Sequence, residues 1–352
     1  MDKAYIFFTT DLVNTWFCYL LWFQPDIWVM VLKNNNLYIL FSSNCFDQKN
    51  IVSLQDIRSK LKNPNLNIEF LLLKQNLLEI LNSLVQWCQI ILEKKYITYN
   101  NFEFIKNNFG NIDFVDSFFD DFKKIKNNDE IAKIKKAIKI TDEIYLWIEQ
   151  LIVSWEILNM TEKQVQNFIV KSLLDNWAEK EAFGTIVASL SSSAIPHYQT
   201  SNVQIWNWPL LIDAWVIFEN YCSDFTRTYW VGGKNEDYKL FKEIYEVVKT
   251  AYSLALDKVK VGTACKDLDL VVREYFASKG YEKYFTHSLG HGIGMQPHEV
   301  PTINYKSNRI LEENMFFALE PGIYLPWKFG VRLENTIHLT SSWPVVYSKL
   351  PI

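Results

Sequence analysis

Five residues in the second half of the chain, Asp213, Asp224, His291, Glu320 and Glu334, are of the types that a divalent-metal site needs. Four carboxylates and one imidazole make a hard, oxygen-rich ligand set suited to Mn²⁺, Co²⁺ or Zn²⁺. Four carboxylates converging without counter-charge would repel one another and could not all stay ionised. Two divalent cations would neutralise them, and such pairs sit about 3.5–4 Å apart and clamp an attacking hydroxide.

Each residue falls in a segment whose pattern bears on its geometry. "PLLIDAWVIFENYCSDFTRTYWVGG" has β-rich runs on both sides of Glu219-Asn220, which suits a two-residue hairpin turn. That turn pairs Phe218 with Tyr221 and Asp213 with Thr226. Asp224 then lies diagonally across from Asp213, about 7–8 Å away between backbone positions. A one-residue slip would part them. Taken alone, the segment suits a solvated edge hairpin slightly better. "FTHSLGHGIGMQPHEVP" holds His287, His291 and His298, three of the five histidines in the chain. Gly290, Gly292 and Gly294 argue against a helix there and for an extended run approaching a ligand closely. In "FFALEPGIYLPWKFGVRLENTIHL", Glu320 ends an apolar strand before a Pro-Gly turn. Period-two alternation puts Arg332 and Glu334 on one face of a strand. In isolation that segment also reads as a surface strand with a neighbouring Arg–Glu pair.

Around these segments the chain divides in two. Residues 1–122 read as a small α/β domain with no chemistry of its own. "IWVMVLKNNNLYILFSS" gives two strands about an Asn34–Asn36 turn, while "SLQDIRSKLK" and "LLEILNSLVQWCQIILEKK" read as helices. The charged stretch "FFDDFKKIKNNDE" marks the boundary, and residues 123–352 form the second domain. This opens with a long helix carrying Ile131, Ile134 and Ile138 at helical spacing. A helix follows from Thr161, where Thr161 and Gln164 form a capping box, to about Asn176. Two more cover about Glu236–Lys258 and Asp267–Lys279, the last stopped by Gly280. "NMTEKQVQNFIVKSLLDNWAEKEAF" and "VGTACKDLDLVVREYFASKGYEKYF" share one plan, so a duplicated α/β unit with the site between its halves is expected.

Composition excludes several classes. Hydrophobic residues at 49% and charged residues at 22% describe an ordinary folded chain of 352 residues. A net charge of −4 with no basic block argues against nucleic-acid binding. Five scattered cysteines without a C-x-x-C pair read as free thiols in a reducing compartment. The apolar stretch Trp16–Phe23 is too short to span a bilayer, and no signal-peptide cleavage site is evident. A cytoplasmic protein without membrane contact is expected.

The motifs "HGIG", "HEVP", "EPGIY" and "VRLEN", following Asp213 and Asp224 in order, resemble the pita-bread metallopeptidases: methionine aminopeptidase, Xaa-Pro aminopeptidase and prolidase, with the metal-free creatinases. The resemblance runs from about Lys124 to the C-terminus. It implies an α+β pita-bread fold with an internal pseudo-twofold repeat. The first domain resembles, weakly, a creatinase-like N-domain lacking its beginning. By resemblance, Asp213, Asp224, His291, Glu320 and Glu334 hold two divalent metal ions, Mn²⁺ first, with Co²⁺ or Zn²⁺ as alternatives. Glu320 also relays a proton, and His298 assists the tetrahedral intermediate. His287 takes part in catalysis and, with His197 in "IPHY", lines the substrate pocket. Arg332 steadies the carboxylates and is grouped with the substrate contacts. With the "HGIG…HE" signature, the N-domain points to Xaa-Pro cleavage, and an Xaa-Pro aminopeptidase acting through a hydroxide that bridges the metals is the expected activity. The alternatives are a prolidase limited to dipeptides, or a non-enzymatic binding protein on the same scaffold. Proline-containing peptides are the implied partners, and a homodimer the implied assembly.

One compositional feature is anomalous: 13 Trp stand beside only 11 Gly, where glycine alone usually makes up about 7% of a chain. The family has glycine where this chain has Trp22, Trp206, Trp208, Trp215, Trp327 and Trp343, and Trp177 stands opposite Gly280 in the repeat. Trp230 fits as tryptophan. A source that reads UGA as glycine, with that codon rendered as tryptophan, accounts for the pattern. A Trp-rich chain is the alternative, and the codons decide.

Overall fold

The computed structural model describes residues 2–8, 28–41, 54–61, 63–72, 76–94, 97–116, 118, 120–176, 178, 184–206 and 208–352. Trp22 and Trp177 lie outside them. The chain forms two compact units, Met1–Phe122 and Lys123–Ile352.

The first unit is a six-stranded mixed sheet in the order β4-β3-β2-β1-β5-β6. Its strands are β1 (Lys3–Phe8), β2 (Trp28–Lys33), β3 (Asn36–Phe41), β4 (Asn67–Leu72), β5 (Gln89–Glu93) and β6 (Ile112–Val115). Helices α1 (Leu54–Lys60), α2 (Leu77–Val85) and α3 (Tyr99–Asn108) connect them. The β2–β3 turn falls at the asparagine run, where Asn34 takes a φ of 53°. The expected single helix over "LLEILNSLVQWCQIILEKK" is corrected. The helix stops at Val85, and Gln89–Glu93 is a strand pairing in parallel with β1 and β6. Between them Trp87 holds a left-handed backbone, φ 66°, which no α-helix continues through.

The second unit carries the site. Helix α4 (Asn128–Val153) starts at a capping box between Asn127 and Glu130. Then come α5 (Glu162–Asp175), capped by Thr161 and Gln164, and a sheet of β7 (Ile186–Ser189), β8 (Pro209–Phe218) and β9 (Tyr221–Trp230). The order of two helices and an antiparallel sheet then recurs: α6 (Asp237–Lys258), α7 (Cys265–Ser278), β10 (Gly290–Gly292), β11 (Glu299–Ile303) and β12 (Phe316–Leu319). β13 (Gly322–Leu325) and β14 (Phe329–Arg332) form a hairpin, and β15 (Asn335–Leu339) and β16 (Pro344–Val346) complete a five-stranded sheet ordered β11-β10-β12-β15-β16. Gly280 caps α7 at φ 78°.

The α6–α7 faces pack on this sheet through Val248, Leu268, Phe276, Phe317 and Ile337, all fully buried. No described helix is long and apolar enough to cross a membrane. Among the described residues three tryptophans stand at positive φ: Trp87, Trp155 just past the end of α4 (66°), and Trp327 in the β13–β14 turn (64°, 94% exposed).

Candidate metal centre

The β8–β9 hairpin has the expected register. Glu219 and Asn220 both take positive φ, 46° and 65°, as a type I′ turn requires. Phe218 faces Tyr221, Asp213 faces Thr226, and Asp224 faces Trp215. These four inner residues therefore share one face of the pair. Helix α4 fixes the hairpin from behind. The buried Tyr145 hydroxyl lies 2.9 Å from the Ile212 carbonyl and 2.8 Å from that of Phe225, the residues flanking Asp213 and Asp224. One turn earlier, Thr141 meets the Ser223 hydroxyl at 2.7 Å.

His291 is delivered by β10, a strand almost without side chains. A Cβ on Gly290 would lie 2.0 Å from the Ala318 carbonyl oxygen, and one on Gly292 2.2 Å from that of Val300. Only glycine lets this strand insert between β11 and β12. The Gly292 carbonyl accepts from His291 Nδ1 at 3.2 Å, so the Nε2 lone pair faces the carboxylates. Asp224 Oδ2 lies 3.4 Å and Glu320 Oε1 3.5 Å from that nitrogen.

Glu334 corrects one expectation. Its segment is not one alternating strand, because β14 ends at Arg332 and β15 begins at Asn335. In between, the Glu334 amide leaves that ladder and donates to the Thr226 carbonyl of β9 at 3.0 Å. The carboxylate still meets Arg332 through a shared partner. The Thr226 hydroxyl donates to Glu334 Oε2 at 2.6 Å and accepts from Arg332 Nε at 3.0 Å.

Arg332 is buried, with Nη2 on Asp213 Oδ2 at 2.7 Å and Nη1 on the Tyr324 hydroxyl and the Pro196 carbonyl. That places it behind Asp213 rather than open to a substrate. Tyr324 donates to His287 Nε2 at 2.8 Å, while His287 Nδ1 donates to the Ser288 carbonyl. His298 is exposed at the rim, its ring 4.1 Å from that of His291. His197 is exposed one residue beyond the Pro196 carbonyl that Arg332 holds. Asp213 Oδ1 accepts from the Trp215 indole at 3.0 Å. Tyr145, Tyr324 and Thr226 were not singled out from sequence. Thr226 alone carried a signal, since period two puts it beside Asp224 and opposite Asp213.

The electrostatics are those of carboxylates awaiting positive charge. Burial, then the charge of Glu334, pushes Asp224 well above the ordinary carboxylate range, and the same two causes raise Glu320. Burial and Asp213 carry Glu334 up to about 7, and burial raises Asp213 despite Arg332. Burial lowers His291 to about 3, with His298 adding to it, so the ring is neutral and available as a ligand. Both Asp224 oxygens and Glu334 Oε1 are buried with no hydrogen-bond partner. Asp224, His291 and Glu334 offer ligand atoms all within 4.8 Å of one another. Buried polar atoms are almost always paired, so three orphaned anionic oxygens beside a free imidazole nitrogen fit a divalent cation.

An α+β unit with antiparallel sheets and this carboxylate–imidazole cluster defines a pita-bread metallopeptidase scaffold. The profile of Metallopeptidase family M24 matches residues 132–341, and the chain belongs to that family. It is similar to the Xaa-Pro dipeptidase of Pyrococcus horikoshii, 39% identical over 229 residues that cover 65% of this chain and 63% of that protein. The Xaa-Pro dipeptidase of Pyrococcus furiosus is 37% identical over 67% of this chain and 66% of its own length. The chain thus spans just under two thirds of these relatives. Among solved structures, the X-Pro aminopeptidase from Thermotoga maritima superposes with a TM-score of 0.78 at 29% identity, over 99% of this chain and 96% of that one. The prolidase from Pyrococcus furiosus gives 0.81 at 27% identity, over 100% and 97%.

Proposed function

We propose that the chain is a metal-dependent hydrolase of the Xaa-Pro bond, acting on Xaa-Pro dipeptides. The observation that carries the metal reading is the set of unpartnered buried oxygens on Asp224 and Glu334 beside His291 Nε2. The dipeptide, rather than the longer peptide expected first from sequence, is favoured by the Pyrococcus relatives, both named Xaa-Pro dipeptidases. A non-enzymatic role is disfavoured because the ligand residues are intact.

Bound divalent metal would supply a Lewis acid for the scissile carbonyl and lower the pKa of water at the site. The oxygen-rich donor set suits Mn²⁺ or Co²⁺. The chain's own residues do the rest. Asp224 and Glu334, both buried, would hold the charge. The side chain of Glu320 is more open than those of Asp213 and Asp224, 18% against 8% and 0%, so it is placed to take a proton from water and pass it to the departing proline nitrogen. His298, at the rim, faces the carbonyl oxygen as negative charge develops there. His287, fixed by Tyr324 and Ser288, and exposed His197 form the substrate wall.

The test is hydrolysis of an Xaa-Pro dipeptide and an Xaa-Pro-Yaa tripeptide, with Mn²⁺ and with chelator. Faster dipeptide cleavage that chelator abolishes is expected. Tripeptide preference would restore the aminopeptidase reading, and full activity in metal-free protein would overturn the metal reading.

A further inference from the structure

Trp215 occupies an unusual place in the site. It lies on β8 opposite Asp224, and only 3% of it is exposed. Its indole ring stacks on the imidazole of His291, with centroids 5.7 Å apart and planes within 4°, and its centroid is 5.3 Å from that of His298. Its Nε1–H donates to Asp213 Oδ1. Arg332 takes the other Asp213 oxygen at 2.7 Å. Both oxygens of Asp213 therefore already have donors, whereas Asp224 and Glu334 retain three unpartnered ones. The ligand atoms that converge within 4.8 Å come from Asp224, His291 and Glu334, without Asp213.

A lone pair that accepts an N–H bond is not available to a cation. The indole proton also puts the positive end of a dipole where a second ion would need to approach. Each Asp213 oxygen keeps a second lone pair, but the indole, bonded to Asp213 and stacked on His291, fills the space on that side of the carboxylate. We propose that the side chain at position 215 sets the metal occupancy of the site. With tryptophan there, the centre holds one ion, on Asp224, His291 and Glu334. With no side chain there, Asp213 Oδ1 is released and a second ion is admitted. Where the codon at 215 is read as tryptophan, the residue controls the centre without being a ligand; where it is read as glycine, the second ion is admitted. The inference rests on the metallopeptidase reading above.

The experiment compares the full-length chain with Trp215→Gly and Trp215→Ala, each loaded with Mn²⁺ by equilibrium dialysis. Bound metal per folded chain is read by elemental analysis, and folding by circular dichroism. One ion on the unchanged chain and two on either variant are expected. Adding Asp213→Asn should return Trp215→Gly from two ions to one, and leave the unchanged chain at one. Two ions on the unchanged chain, or one on both folded variants, overturns the proposal while the metallopeptidase reading stands. No metal on any of the proteins overturns both.

Discussion

The two carboxylates of the β8–β9 hairpin share one face of one strand pair, yet their surroundings are opposite. Asp213 is paired from within the protein, with the Arg332 guanidinium on one oxygen and the Trp215 indole on the other. Asp224, fully buried, has no partner on either oxygen. A protein can bury an anion by pairing it or by leaving it for something that arrives later. One side of this site is finished at folding, and the other is finished only by metal.

Glu334→Gln tests the unfinished side most severely. It keeps the shape and the Thr226 contact but removes a ligand charge. Turnover should fall by more than the roughly 10- to 100-fold loss expected of a residue that merely orients a ligand. Metal content should drop with it while the circular dichroism spectrum is kept. Near-normal turnover with full metal would remove Glu334 from the centre.

The same contrast gives a pH dependence. In metal-free protein the pKa values of Glu334, Asp224 and Glu320 are raised, so the folded state holds protons that the unfolded chain releases. Their contribution to stability is present below the ordinary carboxylate range and is lost as pH rises through the raised values, about 7 for Glu334. Well above the ordinary histidine value of about 6.5, His287 and His291 are neutral in both states and add no slope. The rise in Tm on adding metal should therefore grow between about pH 6.5 and pH 8, because binding no longer has to displace protons. Calorimetry in buffers of different ionisation enthalpy would count the protons released, and a flat profile would contradict the raised values.

His197→Ala is expected to be milder. It should raise KM or slow turnover several-fold at unchanged metal content, since the residue lies at the rim and not among the carboxylates. Metal loss in this variant would move His197 into the centre.

Much of the site was legible because a two-residue turn fixes hairpin register. Glu219-Asn220 placed Asp213 and Asp224 on one face. The glycines around His291 announced a strand that other backbone must approach closely. Two misreadings have physical causes. Alternation across Arg332 and Glu334 could not reveal that the chain changes sheets there, because both sheets want the same side chains inward. The helix over "LLEILNSLVQWCQIILEKK" ran on because its stop signal was absent. Glycine normally fills the left-handed position after a helix, and Trp87 hides it. Trp155 stands in the same setting past α4. Tyr145 could not be found at all, since a buried aromatic on a helix face looks like any other core residue.

The smallest expected effect concerns the tryptophans at left-handed positions. Trp327→Gly, at φ 64° on an exposed turn, should stabilise the protein by about 1 kcal/mol, because an L-residue there carries left-handed strain that glycine does not. Chemical denaturation measures it. We propose that Trp87, Trp155 and Trp327 mark UGA codons read as glycine. UGG at these positions in the gene would end the idea.

The joints between the hairpin and the C-terminal strands have a kinetic meaning. Glu334 meets Thr226 across 108 positions of sequence, and Thr336 meets Asp224 across 112. The hairpin itself is local and can zip early, but contacts of that span must await the closure of a long loop. A metal held by Glu334 and Asp224 would therefore strengthen contacts made late. Interactions absent from the transition state leave the folding rate alone and act on the way out. The ion would work as a brake on unfolding, lengthening the life of the folded chain far more than it hastens its assembly.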